Sequence, residues 1–132
     1  MGWQLKRNDN AAVMDLPDDL LWEDEFAWSQ IAQSAPVYML SGAIDIQQGI
    51  KLAGRPITLT GDWAWITRGE LETLHGWSEV AELTMTLMHY DGRTFNVAWR
   101  LHETATNAAP VQYMTPESAD DKYIVTLRLM TV

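Results

Sequence analysis

The sequence contains no cysteine, which excludes disulfides, thiolate nucleophiles and any metal site built on sulfur. No apolar run approaches the ~20 residues a membrane-spanning helix needs, and the opening MGWQLKRNDN has no apolar leader core. The expectation is a chain made and folded in a cytoplasm, without membrane insertion. Basic residues are scarce: nine Lys and Arg face eighteen Asp and Glu, for a formal charge of −9. A uniformly acidic surface repels nucleic-acid phosphates, so groove binding to DNA or RNA is not expected. Phosphate-loop signatures are missing too, since neither G-x-G-x-x-G nor G-K-[ST] occurs.

Catalytic signatures are equally thin. His75, His89 and His102 fit neither H-x₃-H nor H-E-x-x-H spacing. His75 on a helix and His89 at a hairpin end read as solvent-side residues. No serine lies in a G-x-S-x-G elbow, and DLPDDLLWEDE (15–25) lacks the glycine and spacing of a calcium loop. Asp91-Gly92-Arg93 is explained by a turn. The expectation is a non-enzymatic chain with no catalytic residue, metal ligand set or cofactor.

What is present is apolar and aromatic. Hydrophobic residues make up 47% of the 132 and charged residues 20%, a globular balance at a length that buries one core as one domain, 1–132. Seven tryptophans exceed the ordinary need of one core and hint at subunit contact. Six of the acids fall between Asp15 and Glu25. They read as a solvated edge loop, or as an acidic face that meets a basic partner or lines a channel.

Most segments read as strands: VYMLSGAIDIQ (37–47) with Gly42 at a bulge or bend, RPITLTG begun by Pro56, LTMTLMH (83–89), TFNVAWRL (94–101) and YIVTLRLM (123–130). In the last, Tyr123, Val125, Leu127 and Leu129 share the face expected to be buried. HYDGRTF between two strands invites a two-residue Asp-Gly turn, but that register puts the apolar sets on different faces. A three-residue loop, Tyr90 to Gly92, pairs His89 with Arg93 and sets Leu87 opposite Phe95, Met85 opposite Val97 and Leu83 opposite Trp99. Since a one-residue slip flips every side chain, burial selects the three-residue loop.

One helix is well signposted at about 68–75. Thr67 is the N-cap and Glu70 completes a T-x-x-E capping box. Ile66 and Leu71 form a hydrophobic staple, and Gly76 is placed at a left-handed C-terminus. Just before it, Trp63 and Trp65 share a face of an extended chain, as packing residues or as a stacking platform. HETATNAAPVQYMTPESADD, filling a long loop at about 102–122, reads as functional or flexible.

LPDDLLWEDEFAWSQIAQSAPVYMLSGAIDIQQG, AGRPITLTG, AWITRGELETL and DGRTFNVAWR, in that order over roughly residues 15 to 101, resemble small tail-tip proteins of long-tailed bacteriophages and prophages. The likeness is to the N-terminal ring domain of distal tail proteins. It implies a mainly β fold with one short helix, an antiparallel β-sandwich or small barrel flanked by that helix. It also implies a ring, usually of six subunits, joining the tail tube protein to hub, baseplate or receptor-binding proteins in the virion tail, with DNA passing through unspecifically. On that reading Asp18, Asp19, Glu23, Asp24 and Glu25 are candidates for a negative lumen, Trp63 and Trp65 for interface anchors, and the 102–122 loop for contact with the next ring. The alternative is a monomeric module that holds a carbohydrate or peptide on Trp63 and Trp65.

Overall fold

The computed structural model describes residues 3–17, 19–61, 64–89, 91–112 and 118–132. In chain order these form β1 (Gln4–Arg7), β2 (Val13–Asp15), β3 (Leu21–Trp22), β4 (Ile31–Gln33), β5 (Val37–Tyr38), β6 (Ile44–Asp45), β7 (Gln48–Ile50), β8 (Pro56–Thr60), β9 (Trp65–Thr67), α1 (Arg68–Ser78), β10 (Met85–Met88), β11 (Thr94–Trp99), β12 (Thr106–Pro110) and β13 (Lys122–Thr131). The protein is mainly β with one short helix. Every strand pairing is antiparallel and the main sheet does not close into a barrel.

The longest alternating stretch of the sequence becomes the organising strand. β13 buries Tyr123, Val125, Leu127 and Leu129 on one face, as period-2 alternation requires. It is flanked on each side by an interrupted strand. On one side β8 pairs with its C-terminal half and β9 with its N-terminal half; on the other, β11 and β12 do the same. The sheet runs β2-β1-β10-β11-β13-β8-β3, leaving β2 and β3 as its outer strands. Its inner face packs Leu5, Ile57, Leu59, Met85, Leu87, Val97 and Trp99 against Leu74 and Trp77 of α1. The outer face is threonine-rich and polar: Asn8 bonds Thr84, Thr86 and Asn96, and Thr60 meets Thr126.

Burial sets the β10–β11 register as the sequence predicts. Leu87 lies opposite Phe95 and Met85 opposite Val97. The His89 N–H donates to the Arg93 carbonyl at 2.7 Å and the Gly92 N–H to the His89 carbonyl at 2.9 Å, with Gly92 at φ +99°. Tyr90 of that turn lies outside the described residues. His89 itself is not solvent-side: it is buried, its ring 4.3 Å from that of Trp3 and 6.2 Å from that of Trp22. The N-terminal hairpin β1–β2, unmarked in the sequence reading, brings Trp3 over this position.

The helix begins where the capping box places it. The Thr67 hydroxyl accepts the Glu70 N–H at 3.3 Å, and the Glu70 carboxylate reaches back to the Thr67 N–H at 3.4 Å. Thr67→Ala is expected to cost about 1 kcal/mol, measured by urea unfolding. The far end corrects the sequence reading. α1 continues to Ser78, and Gly76 sits inside it, without positive φ. Trp77, three residues after Leu74, adds a further buried side chain, and burial of a ring that size outweighs the ~1 kcal/mol that glycine costs a helix.

The 102–122 segment is also corrected, because β12 lies inside it and pairs with β13 from Thr106–Leu127 to Pro110–Tyr123. TNAAP has little intrinsic strand preference. The unpaired edge of β13 supplies the ladder that its side chains do not advertise. Residues 113–117 lie outside the described residues.

Candidate functional site: an exposed apolar hairpin

Between β3 and β8 the chain leaves the sheet. β4 pairs with β7 and β5 with β6, and these four short strands make one bent hairpin, here called the arm, whose strands pair only with each other. The expected single strand over 37–47 is therefore two strands and a tip. Met39 and Ala43 close the tip by an N–H···O bond of 2.7 Å, and Gly42 adopts φ +87°, which an L side chain resists. Three residues, Ser34 to Pro36, oppose two on the return leg, Ile46 and Gln47. That is a bulge, and proline is tolerated there. Ten residues from Ile31 to the tip at Leu40 reach at most about 30 Å when fully extended.

Every residue from Ser29 to Ile50 is exposed. Of sixteen exposed large hydrophobic side chains among the described residues, ten lie between Phe26 and Leu52, with Phe26 at 93% and Leu52 at 96%. They are not scattered. Ile31 faces Ile50, Gln33 faces Gln48 with their amides bonded at 2.6 Å, and Tyr38 faces Ile44. Along the return leg, Ile44, Ile46, Gln48, Ile50 and Leu52 alternate with Ala43, Asp45, Gln47, Gly49 and Lys51. On the return leg one face is thus isoleucine-rich, while the opposite face sets Val37 beside Asp45 and Met39 beside Ala43. Between Ser29 and Ala53 the only charges are Asp45 and Lys51, so the arm is neutral on a chain of charge −9.

The size of this surface is informative. A folded monomer of 15.0 kDa is expected to expose roughly 7,000 Å². This chain exposes 8356 Å². The chain as a whole thus exposes about 1,300 Å² more than a compact monomer of its mass.

The acidic segment 15–25 does not form one free face. Asp19 and Glu23 are exposed, whereas Asp24 and Glu25 are half-buried and bind the sheet. Asp24 accepts the Thr58 N–H at 2.9 Å and the Thr58 hydroxyl at 2.8 Å, and the Arg100 guanidinium, itself bonded to Thr58, stands 4.0 Å away. Glu25 accepts from Arg93 at 3.1 Å, and its carbonyl from Arg55 at 2.9 Å. Both guanidinium groups lie over the Trp22 ring, at 4.4 Å for Arg55 and 5.8 Å for Arg93. These two acids therefore root the chain just before the arm. Asp24→Ala strands the Thr58 N–H, while Arg100 keeps Glu103 at 3.2 Å, and is expected to cost about 1–3 kcal/mol in denaturant unfolding. Asp18 lies outside the described residues.

Asp91 joins the same corner. Its carboxyl is held below the ordinary value of 3.8, chiefly by the Arg93 backbone N–H, while Glu25 and then Asp91 raise the Arg93 pKa. The charged turn is therefore fully formed above pH 3.8 and is lost as pH falls through the lowered value.

The described tryptophans fall into two groups. Trp3, Trp22, Trp77 and Trp99 are buried in the core. Trp28 is half-buried at the root of the arm, 5.0 Å beneath the Lys51 ammonium. Trp65 is 39% exposed beside a cleft of about 390 Å³ that Gln112, Asp121 and Lys122 also line. Trp63, the other stacking candidate, lies outside the described residues.

The arm escaped the sequence reading although its signals were present: Ser41-Gly42 between two apolar runs is a hairpin signature, and GAIDIQQGIKL alternates. Compared with known proteins, the chain matches no family model, no curated protein and no solved structure.

Proposed function

We propose that this chain is a structural subunit of a ring at the distal end of a long-tailed phage tail. It joins the tail tube to hub or baseplate proteins and lets DNA pass through its lumen. The observation that carries the reading is the neutral, isoleucine-faced arm, because an apolar hairpin of this area is an aggregation liability unless another macromolecule covers it. The resemblance of residues 15–101 to distal tail proteins supplies the place in the tail and the usual count of six.

Of the lumen candidates, Asp24 and Glu25 are bound to the sheet, Asp19 and Glu23 are exposed, and Asp18 stays a candidate outside the described residues. The test is negative-stain imaging of the purified protein over a concentration series. Annular particles with a central opening support the reading. Dispersed small particles at every concentration, with tryptophan fluorescence shifting on addition of oligosaccharides, would replace it with a binding module centred on the Trp65 cleft.

A further inference from the structure

We propose that the arm of each copy lies in the groove between α1 and β12 of the next copy and adds a strand to the free edge of β12. This deepens the ring reading and rests on its claim that copies associate.

The groove is built from one helix face and one strand face. Arg68, Leu71, Glu72 and His75 recur at the spacing of a single helical face, and they stand over Thr106 and Ala108, alternate residues of β12. β12 pairs with β13 on one side, and on its other side no strand among the described residues adds to it. A strand laid along that edge gains backbone hydrogen bonds and sends alternate side chains into the space under α1, the general mode of strand addition.

Chemistry selects the occupant. Arg68 is ion-paired with Glu72 at 3.1 Å and the His75 ring stands 3.2 Å from the Glu79 carboxylate, which leaves Leu71 and Ala108 as an apolar floor. A charged segment gains little there and a neutral apolar one gains most. The cleft, about 280 Å³, is just under the range of drug-sized ligand sites but suits a row of aliphatic side chains. The arm supplies a neutral strand of this kind, with isoleucines alternating along its return leg.

Topology makes the contact intermolecular. The arm leaves the sheet after β3, an outer strand reached from β13 through β8, whereas β12 lies on the opposite side of β13. The root of the arm and the β12 wall of the groove thus lie on opposite sides of β13, and in this structure the arm strands pair only with each other. Two complementary surfaces at different places on one chain make a heterologous contact, which propagates head to tail and closes into a ring when its rotation permits.

The cysteine-free sequence allows a direct test. Ala108→Cys protein is mixed with Ile44→Cys, Ile46→Cys or Ile50→Cys protein, oxidised and run on a non-reducing gel, with native mass spectrometry of each mixture. At least one pair is expected to give a mixed disulfide dimer in greater yield than either variant alone. As a second arm, Ala108→Trp, which fills the groove, is expected to weaken self-association about tenfold or more, the scale of a lost hot-spot contact. Oligomers that yield only arm-to-arm disulfides and tolerate Ala108→Trp would overturn the groove while leaving the ring. A strict monomer with no crosslink would overturn both. Flotation of the monomer with phosphatidylcholine vesicles would assign the arm to a lipid surface instead, and also overturns the proposal.

Discussion

The double substitution Ile44→Asp, Ile46→Asp is expected to yield a folded monomer that no longer assembles, with thermal unfolding within a few degrees of the parent. Both side chains are exposed, at 50% and 43%, and neither contributes to the core. Placing two carboxylates on the isoleucine face costs the folded monomer little, because exposed substitutions usually fall within about 0.5 kcal/mol. In an assembly the same carboxylates must be desolvated without partners, at several kcal/mol, enough to remove an interface of standard size. The matched control is Ala43→Asp, Gln47→Asp, which adds the same charge to the opposite face. Sedimentation velocity of the two proteins is expected to separate them: the control assembles and the Ile variant does not. Equal loss in both would mean that the isoleucine face alone does not govern association, and that net charge or the Val37 and Met39 face does.

The second large effect lies in the core. Leu127→Ala is expected to destabilise the chain by about 3–4 kcal/mol and to lower the unfolding midpoint by about 10 °C or more. Leu127 is fully buried on β13, opposite Leu59 of β8 and Thr106 of β12, so its cavity opens between both flanking strands. Neighbours held in two ladders cannot collapse far into the space, which places the cost within the upper range for leucine truncation. Thr126→Ala, one residue away on the polar outer face, is expected to cost under about 1 kcal/mol. Guanidinium unfolding of both proteins checks the contrast. Similar losses would place the core on the wrong side of the sheet.

What the sequence disclosed about the fold was carried by periodicity and by local chemistry. The alternation of residues 123–130 fixed the buried face of β13, and the facing apolar sets around Asp91-Gly92 fixed the β10–β11 register. Thr67 and Glu70 announced the start of α1 because a capping box is local. Features set by distant partners were not legible. β12 forms on TNAAP because β13 offers it an edge, α1 runs through Gly76 because Trp77 finds the core, and His89 is buried because Trp3 arrives from the N-terminus. The acidic cluster misled in the same way: Asp24 and Glu25 read as free charge until Thr58, Arg100 and Arg93 are placed beside them. The arm lies between these cases. Its alternation and its Ser-Gly tip are local, but its detachment from the sheet is tertiary.

The proposal that copies join through the arm is tested most directly by native mass spectrometry of the unmodified protein across a concentration and salt series. The account predicts one closed oligomer of fixed stoichiometry, six by resemblance, which persists at high salt because the arm contact is apolar and neutral. A monomer that stays monomeric at the highest concentrations, with the isoleucine face open to water throughout, would contradict it.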